Sequence, residues 1–224
     1  MYTPPMFKSD RAASLAFAEA RGFGTACAWN GKRPVASSLP FYLSYAEDGT
    51  PVALFHVARH NPLIKLADGV TPWVLAVNGA DAYVTPDWYV SVDQVPTWLY
   101  QAVHLTGPVR TLSDDELVVQ IDTLSEKFEN RLKPKKPWTS GKMTAARLEA
   151  LKKGIVGLSM RVEDVEGSFK LNQHKSEADY AAVANGLAAL PDHGSQTIAQ
   201  LMRESRPQAF TVTTSETASL EGSM

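Results

Sequence analysis

Apolar and polar residues alternate with changing period along the chain, and each change of period marks an element. Residues 24–29, 34–45 and 52–55 are strand-length runs separated by Asn30-Gly31 and by Glu47-Asp48-Gly49. Pairs of this kind tolerate positive φ, so both predict hairpin turns and leave no room for crossover helices. Residues 73–77 form a continuous apolar run, Asn78-Gly79 predicts a further turn, and residues 81–85 a return strand. Over residues 95–109, Trp98, Tyr100, Ala102, His104 and Thr106 share one face; Leu99, Gln101, Val103 and Leu105 share the other. Six closely connected strands in the first half predict a small antiparallel barrel rather than a sandwich or a parallel sheet.

The helical period appears around these strands. Ser9 and Asp10 can cap a helix running to Arg21, with Leu15, Ala16 and Phe17 on its apolar side and Gly22 as its stop. Pro4 and Pro5 predict an extended start over residues 1–8. Residues 113–116 form a capping box, after which Leu117, Ile121, Leu124 and Phe128 recur at helical spacing. Residues 133–142 are a basic, Pro-containing loop around Trp138, and residues 155–162 read as a late strand placed to close the barrel before a turn at Gly167. The expected organisation is one domain over residues 1–190, mainly β with flanking helices (α+β), with helical insertions at 113–132, 145–153 and 176–190. Residues 191–224 follow as a short helix, near 196–203, and a flexible polar tail from 211, which is Ser/Thr-rich with little to bury.

Composition narrows the chemistry more than the fold. Charged residues are 21% and hydrophobic ones 44%, an ordinary globular balance. A formal net charge of -2 and the lack of a basic recognition helix make direct DNA binding doubtful. Cys27 is the sole cysteine, which excludes an intrachain disulfide and a thiolate metal cage. The five histidines lack HExxH spacing, and Pro62 limits any helix that would bring His56 and His60 together as ligands. GxSxG, Walker A and GxGxxG motifs are absent. No secretory pattern opens the chain and no apolar run approaches the ~20 residues of a membrane span, which predicts a cytoplasmic protein.

Four polar-aromatic clusters interrupt the apolar strands, at residues 56–61 (HVARHN), 83–89, 95–104 and 170–175. In the first, the strand over 52–55 is expected to stop at His56, Arg59, His60 and Asn61, and Asn61-Pro62 to start a helix. A cation at a strand end beside a helix start suits phosphate. The same segment also fits a surface turn whose Arg pairs with a carboxylate. Aromatics beside cations and amides suit a flat, anionic, heteroaromatic ligand. Taken singly, Trp88 and Trp98 fit core or interface anchors, His104 a satisfied core histidine, and Lys170 a solvated strand end.

At these clusters the chain resembles the PaiB-type FMN-binding proteins, a family labelled negative transcriptional regulators. The matching blocks are Met1-Tyr2 with Pro4 and Phe7, ASSLP (36–40), HVARHNP (56–62), AYVTPDWY (82–89), VPTWLYQAVHLTG (95–107) and KLNQHKSEAD (170–179), in the expected order. The family is similar to the pyridoxamine-phosphate-oxidase-like split barrels, six-stranded antiparallel barrels that dimerise and hold flavin between subunits. The resemblance therefore implies an FMN-binding split barrel, a homodimer with its ligand cleft at the interface, and FMN as cofactor. It implies a phosphate grip of Arg59 with His56 and Asn61, and a strand carrying Ser38 and Leu39 past the isoalloxazine. Trp98 and Tyr100 would line the cleft, with Lys170 and Gln173 approaching it from the C-terminal block. The family usually has His where Ser38 stands, Asn where Leu99 stands, and a KLSQNR-like run where Asn172, His174 and Lys175 stand, exchanges that change hydrogen-bonding capacity. The implied function is a flavin-binding regulator, with flavin-dependent oxidoreduction of a small substrate if the protein is an enzyme. Two alternatives are a regulatory partner without flavin, and a barrel binding haem or another tetrapyrrole with His56, His60 or His104 as axial ligand.

Overall fold

A computed structural model describes residues 1–210 of the 224, so the expected tail from 211 lies outside the described residues. In chain order the elements are β1 (Lys8–Ser9), α1 (Arg11–Arg21), β2 (Phe23–Trp29), β3 (Pro34–Tyr45), β4 (Pro51–Ala58), β5 (Asp68–Val84) and β6 (Thr97–Thr111). The remainder are α2 (Asp114–Asn130), α3 (Ala145–Lys152), β7 (Ile155–Arg161), β8 (Asp164–Lys170), α4 (Glu177–Ala188) and α5 (His193–Ser205). The strands lie in the order β1-β8-β6-β5-β2-β3-β4-β7, and β7 also pairs with β6. Six strands thus form a closed ring, with β8 and β1 added beyond β6. The late strand does close it: Leu158 faces Phe55 in β4, and Met160 faces Val109 in β6, both antiparallel. Alternate residues fill the interior, among them Leu39, Phe41 and Leu43 of β3 and Ala53, Phe55 and Val57 of β4.

The chain separates into two compact units. The first comprises Met1–Thr3, Lys8–Asn78 and Ala102–Ser168. The second comprises Pro4–Phe7, Gly79–Gln101 and, of the described residues, 169–210. It has its own core, in which Tyr89, Leu99 and Leu171 pack with Tyr180, Val183 and Leu187 of α4 and Ile198 and Met202 of α5. Asp179, buried in the first turn of α4, accepts the backbone N–H groups of Val90 and Ser91 and the Ser91 hydroxyl. Those bonds fasten the loop after Tyr89 to α4 and hold the carboxyl below its ordinary pKa.

The helix boundaries follow their caps. Asp10 accepts from Ala13 N–H to start α1, and Gly22 ends it in the left-handed region at φ 59°. Ser113 and Glu116 form the expected capping box at the start of α2. On α1, however, the buried face is Ser14 and Ala18, with Ala16 exposed. Small residues win that face because the sheet comes close: a Cβ on Gly167 would lie 2.1 Å from Ser14 Oγ.

Several expected breaks are not breaks. β4 runs through His56 to Ala58, since its pairing with β7 continues to Ala58↔Ile155. β5 passes straight through Asn78-Gly79, where Gly79 has no positive φ. β8 passes through Gly167, whose missing side chain serves the close approach to Ser14 rather than a turn. Residues 5–7 form a 3-10 turn instead of extended chain, with Phe7 buried. Asn61-Pro62 opens a five-residue 3-10 turn, Pro62–Leu66, rather than an α-helix. Among the described residues no helix is long and apolar enough to cross a membrane, and no cluster of His, Cys, Asp and Glu is placed to hold a metal.

Gly107 marks the tightest contact in the ring. A Cβ there would lie 1.8 Å from the Arg161 carbonyl oxygen, beside the Glu163 N–H to Thr106 carbonyl bond of 2.9 Å. Gly107→Ala is expected to cost about 1–3 kcal/mol or more of stability in urea denaturation, because backbone cannot yield as a side chain can. An unchanged midpoint would show that β6 and the end of β7 do not meet this closely.

Candidate functional site

The segment after Phe55 places its polar side chains by strand alternation. His56 shares the outward face of β4 with Val52 and Leu54, while Phe55 and Val57 point inward. On that face α2 covers it, and His56 Nδ1 lies 3.4 Å from Gln120 Nε2. Gln120 is 1% exposed, on the stripe between Leu117 and Leu124. Burial lowers the His56 pKa from its ordinary 6.5, partly opposed by the Gln120 hydrogen bond.

Arg59, just beyond β4, is exposed yet fixed. Its backbone N–H donates to the Gly154 carbonyl at 2.9 Å, and its guanidinium donates to the carbonyls of Lys153 and Ile155. These carbonyls stand at the C-terminal end of α3, where unpaired C=O groups favour a cation. Among the described residues no carboxylate pairs with it, so the surface-turn alternative lacks its acid. Asn61 caps the following turn by accepting from Leu63 N–H at 3.0 Å and donates to Ser37 Oγ in β3 at 2.8 Å. Leu63 is thereby seated in the core, and Trp73 Nε1 donates to the Leu66 carbonyl at 3.3 Å. His56, Arg59 and Asn61 are therefore engaged with three different elements: α2, the junction of α3 and β7, and β3.

Ser38 and Leu39 lie on opposite faces of β3. Ser38 is exposed, with its Oγ 3.2 Å from Thr25 Oγ1 directly across in β2. The Leu39 side chain fills the core, which leaves only its backbone to face a ligand.

In the second unit, Trp98 is exposed and meets Tyr83 edge-to-face at 5.9 Å; Tyr100 is half-buried. Lys170 donates to Thr97 Oγ1 at 2.6 Å and lies 5.8 Å from the Phe7 ring centroid. Gln173 is consumed by its own turn, accepting from Leu171 N–H at 2.7 Å and donating to the Phe169 carbonyl at 2.6 Å. Two positions that depart from the family pattern face inward. Leu99 is fully buried against α4 and α5, and buried Asn172 takes φ 59° while donating to Tyr89 Oη at 3.0 Å.

Of the other histidines, His60 is exposed. His104 is half-buried, and burial and the N-terminal ammonium lower its pKa, opposed by Glu166. Sequence reasoning missed Thr25, Gln120 and the carbonyls that hold Arg59. Gln120 left one signal, a polar residue inside the stripe Leu117, Ile121, Leu124.

A family model described as a putative FMN-binding domain matches residues 1–164. The protein named "Protease synthase and sporulation protein PAI 2" from Bacillus subtilis is 32% identical over 205 residues, 91% of this chain and 97% of that one. An uncharacterized protein from Emericella nidulans is 29% identical over 75% of this chain and 81% of its own. Among solved structures, the FAD and heme binding protein from Mycobacterium smegmatis aligns with a TM-score of 0.53 at 16% identity, over 73% of each chain. A conserved hypothetical protein from Mycobacterium tuberculosis aligns at 0.51 with 9% identity, over 75% of this chain and 90% of that one. At such identities these two speak for the fold.

The half-buried His56 imidazole makes a pH prediction. A His whose folded pKa lies below its unfolded value resists protonation in the native state while the unfolded chain accepts it. Stability is complete above about pH 6.5 and falls as the pH drops from there toward the lowered folded value. Between pH 7.5 and 5.5, a His56→Gln variant is expected to lose less stability than the parent in urea denaturation, and equal losses would count against burial of this ring.

Proposed function

Because the chain belongs to the family of putative FMN-binding domains, we propose that it holds flavin mononucleotide with Arg59 as the phosphate-side cation. The observation that carries this is Arg59 itself: a guanidinium has more N–H donors than two carbonyls take up, and this one is exposed and already oriented. An anion meeting it requires little loss of side-chain freedom. The exposed Ser38 and Thr25 hydroxyls supply polar partners of the kind an isoalloxazine edge needs, and the backbone of Leu39 adds more. Asn61 acts through Ser37 and the turn it caps, and His56 through Gln120, as positioning residues rather than direct ligands. Within the second unit, Lys170, Tyr100 and Trp98 are the further contacts that the family resemblance implies for the flavin, with Gln173 shaping the turn that carries Lys170. When bound, FMN supplies hydride and electron transfer, so an oxidoreductase acting on a small substrate is the enzymatic form of this reading.

The reading includes a homodimer. Exposed Tyr83 and Trp98, with Val90, Val92 and Val95 exposed in the same unit, offer apolar surface that a second copy can cover. The deciding experiment is an absorbance spectrum of the purified protein followed by FMN titration, with the mass of the same sample measured by light scattering. Expected are a yellow dimer that releases FMN on denaturation and an Arg59→Gln variant about 10- to 100-fold weaker for FMN, the worth of a charge-assisted hydrogen bond. A colourless monomer that ignores FMN overturns the proposal; a Soret band on adding haem would favour the tetrapyrrole alternative.

A regulatory role is the second reading, favoured by the loop after α2, where Arg131, Lys133, Lys135 and Lys136 are all exposed. If it acts on DNA directly, a gel shift should weaken steeply with salt. No shift at low salt would leave regulation to a protein partner.

A further inference from the structure

Within the first unit, a cavity of about 430 Å³ lies on the outer face of the ring, between the strands and α2. Its floor is a cross-strand row, since Arg110 pairs with Ser159, Ser159 with Leu54, and Leu54 with Tyr42. The next row adds Val52 and Ser44, also paired. Along α2, Glu116, Val119 and Gln120 turn one helical face toward the same space. The size is that of a small-molecule pocket, and most of the wall is aromatic or aliphatic.

Three features define what would fit. First, the Arg110–Glu116 pair is internally matched, with Arg110 donating to both Glu116 carboxylate oxygens at 3.1 and 2.6 Å, and the exposed Asp115 at the rim leaves the lining with one net negative charge that disfavours an anion. Second, the Ser44 and Ser159 hydroxyls have no hydrogen-bond partner among the described residues, although Ser159 is 8% exposed. Third, Gln120 is buried with one amide atom on His56 and the other unpartnered, whichever way the amide is turned. That atom is enclosed, so a ligand gains it as a partner only where the Gln120 side chain turns toward the cavity.

We propose that this cavity binds a small, flat, uncharged aromatic molecule bearing hydroxyl or carbonyl groups, such as a phenol or quinone. The body of the ligand lies on Leu54 and Tyr42, and its polar groups meet the Ser44 and Ser159 hydroxyls. The site does not rest on the flavin reading. FMN itself fits poorly, because its phosphate would bring net negative charge to a mouth where Arg110 is already bound to Glu116. Gln120 touches both the cavity and His56, so filling the cavity is felt by that imidazole.

The test is calorimetric titration of the full chain with 2-naphthol, repeated on Val119→Trp and Ser159→Ala. Val119 is 64% exposed on α2, so the larger ring can fill the mouth without entering the core. Expected are saturable 1:1 binding, a loss of at least about tenfold in Val119→Trp, and a loss of about 2- to 10-fold in Ser159→Ala. The His56 ring resonances should shift on binding. Arg59→Gln should retain naphthol binding while weakening FMN, which separates this site from the flavin reading. Absence of saturable binding overturns the proposal, as does binding that both variants leave unchanged. Competitive displacement by FMN would assign the cavity to the flavin and overturn it as well.

Discussion

The pairing of β7 with both β4 and β6 is the interaction on which the first unit depends. Without it, β4 and β6 would each expose a row of unpaired N–H and C=O groups at the seam of the barrel. Closure has a cost in chain path, because β7 follows β6 only after some forty residues containing α2 and α3. That connection cannot cross the packed interior, so it runs over the outside, and α2 comes to lie on the outward face of β3 and β4. The half-burial of His56 and the cavity beside it are both consequences of how the ring is closed. The carbonyls that hold Arg59 come from the same source, since they sit where α3 hands the chain to β7.

Seen this way, the segment after Phe55 carries three separate tasks. Alternation sends His56 outward under α2, where a neutral ring is the cheaper form. The chain then leaves the strand, and Arg59 meets the end of α3. Asn61 turns back to Ser37 and seats Leu63 in the barrel. A change at Asn61 would be felt first in packing, because its amide closes two hydrogen bonds of the fold; a change at Arg59 alters a charge that the fold has oriented but not neutralised.

Elements specified by local chemistry were legible in the sequence: the Asp10 cap, the Ser113 capping box, the Pro34–Tyr45 strand and the closing strand all stand where pattern put them. What was not legible depends on residues distant in sequence. Gly167 looks like a turn but is small because Ser14 approaches it, and Asn78-Gly79 stays extended inside a strand of 17 residues whose pairing overrides turn preference. The cation at 59 was visible as a cation, whereas its carbonyl partners lie about a hundred positions later and carry no side-chain signature. Gln120 was a faint irregularity in an apolar stripe, and only the register of α2 on β4 gives it His56 as a neighbour.

The positions at which this chain departs from the family pattern bear unequally on ligand binding. Leu99 is enclosed by α4 and α5, where an amide would need buried partners, so a leucine there trades hydrogen bonding for packing within the second unit. Asn172 occupies a left-handed conformation that Asn tolerates better than most residues, and its Nδ2 donates to Tyr89 while its buried Oδ1 has no partner among the described residues. The leucine is accounted for by the core it faces, and the asparagine by its backbone conformation. Ser38 is different, because it stands exposed beside Thr25 on a strand whose other face is sealed by Leu39. A hydroxyl pair there can donate and accept but cannot carry charge, as an imidazole can, so any ligand meeting this strand meets a neutral surface. On the proposed reading the charge that would select an anionic ligand then falls to Arg59, an exposed cation already oriented by its carbonyl partners, rather than to the strand carrying Ser38.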